Sequence, residues 1–198
     1  MKHVFSFIAV LAAVPAIAEE NRQLDAHEHG VGALNIAIDG STVAMEFHAP
    51  GADIVGFEYA AKSDADIAAI DAAIARLKAP LDLFMMADAA ACSVTEARAE
   101  LESEESHDEH DEDHKDDHAE EGHDDHDGHD DHAEDAGHTE FHAEYTLDCE
   151  NPAALTQITF AYFEAFPNAK EVEVQIITTS GAQAFEVERD APVLDLGR

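Results

Sequence analysis

The residues able to do chemistry are concentrated in one stretch. From His107 to His138 the chain reads HDEHDEDHKDDHAEEGHDDHDGHDDHAEDAGH, with nine His, sixteen Asp or Glu, one Lys and six Ala or Gly in 32 residues. A neutral imidazole nitrogen is a donor for borderline metals, and carboxylates complete the coordination or neutralise the ion. His110, His114 and His118 are four apart, which would place three donors on one helical face. His123, His126, His129 and His132 are three apart, a spacing suited to an extended or tightly wound chain. Gly122, Gly128, Gly137 and the dense like charge argue against a stable helix without metal. The apo segment is therefore expected to be disordered and to compact around cations. An inert acidic linker gains nothing from imidazole, which places metal binding above that reading and above a pH sensor.

With three or four donors per ion, the nine histidines would serve several zinc ions. Copper(II) would outcompete zinc for such donors. Yet no Met cluster marks a copper(I) site, and no EF-hand spacing marks calcium. Zinc leads, with nickel or copper behind it. Outside the stretch, His27-Glu28-His29-Gly30 offers two imidazoles from an N-terminal arm. His48 shares a strand face with Glu46, and His142 shares one with Glu144. His48 and His142 read either as surface histidines or as ligands of an ordered site on the fold.

The elements that must position these donors are legible in the pattern. Leu34, Ile36 and Ile38 alternate, Asp39-Gly40 is a turn signal, and Val43, Met45 and Phe47 alternate again, which predicts a β-hairpin. Ser63 caps a helix with the stripe Ile67, Ile70, Ile74 and Leu77, stopped at Pro80. Leu81 to Met86 reads as a buried strand, and Ser93 to Glu102 is ambiguous between strand and frayed helix. Phe141 to Cys149 alternates as a strand. Asn151-Pro152 predicts the start of a second helix, with the stripe Leu155, Ile158, Tyr162 and Phe166. Glu171 to Thr179 and Gln183 to Arg189 are two further strands.

The tetrapeptide EFHA occurs at Glu46 to Ala49 and at Glu140 to Ala143, each time on a strand expected to precede an amphipathic helix. The predicted fold is therefore α+β: a pseudo-twofold single domain with antiparallel β structure and one helix per half, interrupted by a disordered insert. Its parts are residues 1–18, 19–102, 103–138 (the insert) and 139–198.

Residues 1–18 have the form of a signal peptide. A basic Met1-Lys2-His3 precedes the apolar run Val4 to Val14, and Ala16-Ile17-Ala18 supplies small residues ahead of a cut before Glu19. That run is shorter than the ~20 residues a membrane span needs. Export to a bacterial periplasm is expected, with no membrane insertion after cleavage. The net charge of −35 opposes binding to nucleic acid and to anionic lipid, and it gathers cations. Cys92 and Cys149 are the only cysteines, and an even pair in an oxidising compartment predicts a disulfide. The bridge is expected to staple the base of the insert.

Several of these residues resemble one family. His27-Glu28-His29-Gly30 with Ala33 to Ile38, Pro50, Gly56-Phe57-Glu58, Ala91-Cys92, the His-rich insert, Tyr145 to Cys149, Asn151-Pro152 and Phe163 to Pro167 are similar to the ZrgA-like zinc-regulated periplasmic proteins. The resemblance implies a protein that assists zinc acquisition under scarcity, handing metal to the solute-binding protein of an ATP-driven (ABC) importer. Gly56-Phe57-Glu58 carries no evident ligand chemistry and reads as structural. A metal buffer for resistance to excess zinc, nickel or copper uses the same chemistry under opposite regulation. A metalloenzyme on His27, His29, His48 or His142 is disfavoured, because no HExxH helix or nucleophile elbow is present. A purely structural domain with a solubilising insert is the fourth reading.

Overall fold

Asp39-Gly40 turns the chain back on itself, with Gly40 in the left-handed region that glycine adopts freely (φ 60°). The strands it joins are β1 (Val31–Asp39) and β2 (Thr42–Pro50), paired antiparallel with Ile38 opposite Val43. Leu34, Ile36, Ile38, Val43, Met45 and Phe47 all point into the core, as their alternation predicts. The computed structural model describes residues 28–103 and 138–197. The expected signal peptide, His27 and insert residues 104–137, with eight of the nine insert histidines, lie outside the described residues.

After a single turn, α1 (Gly51–Ile54), comes α2 (Asp64–Leu77). Ser63 caps it by accepting from the Asp66 backbone N–H at 3.1 Å, and the Asp66 carboxylate accepts from the Ser63 N–H at 3.4 Å. The predicted stripe is only partly buried: Leu77 is enclosed, Ile70 and Ile74 are half-buried, and Ile67 is 48% exposed. The strand expected over Leu81 to Met86 is split into α3 (Pro80–Leu83) and β3 (Phe84–Met86). Pro80 favours a first helical turn over a ladder position, because it has no N–H to donate.

The ambiguous segment is a strand, β4 (Cys92–Ser103), paired along its length with β5 (Thr139–Cys149). Residues 104–137 thus connect the two strands of a hairpin. Cys92 and Cys149 are bonded and face each other in register. They sit at the end of the hairpin remote from Ser103 and Thr139, eleven residues or about 35 Å along β4. The disulfide therefore does not staple the base of the insert; the β4–β5 ladder holds that base.

The second amphipathic helix does not form. Asn151 caps nothing and donates instead to the Ala89 carbonyl at 3.3 Å. Pro152–Ala154 makes one 3-10 turn, and β6 (Gln157–Phe160) follows, then one turn of α4 (Tyr162–Ala165). Leu155, Ile158, Tyr162 and Phe166 are all buried, so the apolar positions were right and the period was wrong. Ile158, Thr159 and Phe160 favour extended backbone, and β6 finds partners on both sides. One helix per half is thereby corrected, among the described residues, to one long helix, α2, in the first half.

The chain continues through β7 (Glu171–Thr178), β8 (Gly181–Glu188) and β9 (Val193–Asp195). The large sheet has the order β4-β5-β2-β1-β7-β8, and a small sheet has β3-β6-β9. Among the described residues every pair is antiparallel except β1–β7, which no short turn joins. The result is an α+β single domain. One face of the large sheet packs on a core in which Phe47 meets Phe84 at 5.3 Å and Tyr162 at 5.1 Å between ring centroids. The opposite face carries the polar residues that alternate with that core.

Candidate metal centre

Alternation along β2 puts Glu46 and His48 on the outer face, because Met45 and Phe47 take the core. The same rule on β5 puts Glu140, His142 and Glu144 outward. The strands are neighbours, and the register sets His48 directly opposite His142. Their rings stack at 4.5 Å, 17° from parallel. On the other side of β5, Glu100 of β4 lies opposite His142, and Glu102 lies opposite Glu140. His142, flanked on both sides, is 4% exposed although it points away from the core.

The contacts alternate carboxylate and imidazole. Glu140 Oε2 is 3.4 Å from His48 Nδ1, and Glu102 Oε1 is 3.3 Å from His142 Nδ1. Both Nε2 atoms face one oxygen: Glu46 Oε1 lies 3.4 Å from His48 Nε2 and 3.4 Å from His142 Nε2. The buried His142 Nε2 has no hydrogen-bond partner among the described residues. Each ring has a carboxylate oxygen near both nitrogens. With the proton on Nδ1, against Glu140 or Glu102, Nε2 would be free to give its lone pair to an ion, the arrangement that orients zinc-binding histidines.

Glu46, His48 and His142 each offer one atom, all within 4.8 Å of one another. Tetrahedral zinc with bonds of ~2.0–2.1 Å separates its donors by about 3.4 Å. The spacing of Glu46 from both imidazoles is therefore already that of a tetrahedron's edges. Three protein donors leave a fourth position for water or another ligand, as in sites that exchange what they hold. Glu100, Glu102 and His142 form a second such group on the other side of the same ring.

Electrostatics agree. His48 is held above its ordinary value of 6.5, first by its hydrogen bond to Glu140, against the opposing effect of burial. Burial pushes Glu46 upward, but hydrogen bonding and charge from His48, with the charge of His142, outweigh it and leave the carboxyl below its ordinary range. Four carboxylates (Glu46, Glu100, Glu102 and Glu140) surround two imidazoles, so the cluster favours a cation.

Of the expected site residues described, His48 and His142 come together and His29 and His138 approach a second carboxylate. His29 Nε2 is 3.1 Å from Glu58 Oε1, and His138 Nδ1 is 3.3 Å from Glu58 Oε2. Placement of His27, His107, His110, His114, His118, His123, His126, His129 and His132 lies outside the described residues. Sequence reasoning missed Glu46, Glu58, Glu100, Glu102 and Glu140 as site residues. The repeated Glu-x-His of Glu46/His48 and Glu140/His142 was the available signal, since residues two apart on a strand share a face.

A sheet face with paired histidines backed by carboxylates makes this an α+β protein with a candidate metal site. The chain belongs to the ZrgA family, described as zinc uptake proteins, whose family model matches residues 26–196. No curated protein matches it.

Proposed function

We propose that this is a periplasmic zinc-binding protein that assists zinc uptake, and that Glu46, His48 and His142 hold one zinc ion on the outer sheet face. The observation that carries the reading is the approach of both Nε2 atoms to one carboxylate oxygen at 3.4 Å, with each Nδ1 held by a further carboxylate. The His-rich segment His107 to His138 captures several ions and raises their local concentration next to the sheet. Its ends join the hairpin beside the cluster: Ser103 pairs with Thr139, next to the Glu102–Glu140 pair. The ordered site then passes zinc to the solute-binding protein of an ABC importer. Nothing in this scheme requires catalysis.

The buffer reading, for resistance to excess zinc, nickel or copper, shares these donors, which suit all three ions. It differs in regulation. Synthesis of the protein induced by zinc depletion supports uptake, and synthesis induced by excess metal supports the buffer.

The direct test is calorimetric zinc titration at pH 7.5 of the mature chain and of a variant with residues 104–137 replaced by a short Gly/Ser linker. The expected outcome is loss of most of the stoichiometry and retention of one tight site that His142→Ala then removes. If the linker variant binds no zinc, the sheet site is refuted.

A further inference from the structure

We propose that His29, Glu58 and His138 form a second, more open divalent-cation site, one step along β5 from the buried cluster. It goes beyond the ordered site described above and rests on that reading only for the choice of zinc as the ion. The three residues come from separate parts of the chain: the turn before β1, the loop after α1, and the residue ahead of Thr139. Glu58 is the fixed member, with a side chain 12% exposed, whereas His29 and His138 are 61% and 59% exposed.

Local backbone explains why Glu58 is so placed. Gly56 is in the left-handed region (φ 88°), and Phe57 stacks on Tyr59 at 4.7 Å. Gly51 has no room for a side chain: a Cβ there would strike Thr139 Oγ1 and lie 2.7 Å from the Phe57 carbonyl oxygen. Glycine at 51 thus lets the 57–58 backbone close on the start of β5 and brings Glu58 against His138. On the other side, the Gly30 N–H donates to both carboxylate oxygens of buried Asp53 at 2.8 and 3.0 Å, and the Val31 N–H donates to the Glu28 carbonyl at 3.0 Å. These bonds fix the turn that carries His29.

The chemistry left open is that of a ligand. Glu58 Oε1 is buried and makes no hydrogen bond of good geometry among the described residues, although His29 Nε2 is 3.1 Å away. Buried carboxylate oxygens normally have partners, and an ion supplies one here. Each imidazole faces a different oxygen of the same carboxylate. Both rings are exposed enough to rotate onto one ion while Glu58 stays in place.

His138, Glu140 and His142 are two residues apart in turn, about 7 Å per step along extended chain. Glu140 holds His48, so an ion leaving the outer site meets the buried one next. The open site is a landing position where residues 104–137 rejoin the sheet.

The test is zinc titration of the full mature chain, followed by two-bond 1H–15N correlations of the histidine side chains, assigned by single substitutions. His29 and His138 should respond together, at one zinc equivalence. Glu58→Gln should raise the zinc needed for half-response of both by roughly tenfold or more, leaving His48 and His142 within about twofold. His29→Ala, at an exposed position, should weaken the His138 response by a similar factor. Independent responses of His29 and His138, or responses unchanged by Glu58→Gln, overturn the proposal and leave two His–Glu ion pairs. A missing His48/His142 response with coupled His29/His138 shifts refutes the sheet site and sustains this one.

Discussion

Between His107 and His138 the chain offers nine histidines in 32 residues, with nothing more apolar than alanine among them. The outer face of the large sheet offers two, His48 and His142, each against a carboxylate and stacked on the other. The first region collects donors by density, and any few within reach will serve. The second holds donors in place because Phe47 and Phe141, alternate on the same strands, are locked into the core. In the proposed scheme, density supplies capacity and rapid exchange, and placement supplies affinity and order.

Removal of the dense region should have the largest effect on capacity. In the linker variant most bound zinc is lost, while the affinity of the sheet site stays within about threefold of its value in the whole chain. A large drop in that affinity, measured by competition with a chelating dye, would show that the two regions form one site. His142→Ala should lower the affinity of the sheet site by more than the roughly 10–100-fold that loss of a supporting group costs. Capacity should fall by a single ion.

Glu140→Gln removes a group that orients His48 without itself donating to the ion. Its expected cost is roughly 10–100-fold, smaller than that of His142→Ala. Equal losses would make Glu140 a ligand. The smallest effect expected is on pH. His48 has its folded-state value raised above 6.5, chiefly by Glu140. In the metal-free protein its stabilisation is therefore full below about 6.5 and is lost as pH rises through the raised value. Zinc must displace that proton, so affinity at the sheet site should fall as pH drops through the same range, by about tenfold per unit for one proton. Isotherms unchanged between pH 7.5 and 5.5 would contradict ligation through imidazole.

Much of the fold was legible because its signals were local. The β1–β2 hairpin follows from two alternating runs around Asp39-Gly40, and α2 from Ser63, its capping partner Asp66 and Pro80. Residues 151–166 were misread because Leu155, Ile158, Tyr162 and Phe166 fit a 3.6-residue period, while Ile158 and Phe160 fit a period of two. Over so short an apolar run the two periods coincide. The bridge between β3 and β9 settles it, and that is a property of distant chain. Gly56-Phe57-Glu58 was read as structural for a similar reason. Its glycine and phenylalanine shape the loop, and only the tertiary structure sets Glu58 against His29 and His138, the contact on which the second proposed site rests.

Composition and spacing alone determined that this chain carries a dense set of imidazole and carboxylate donors, that its two cysteines would pair, and that His48 and His142 lie on strands. Those facts depend on residue type and on neighbours a few positions away. Only the tertiary structure decided that the two strands are adjacent, in a register that sets the histidines face to face with four carboxylates about them. It also decided that the disulfide closes the far end of the β4–β5 hairpin from the insert. Strand order and register depend on which apolar faces bury together across ninety or more residues of chain, and no local pattern carries that information.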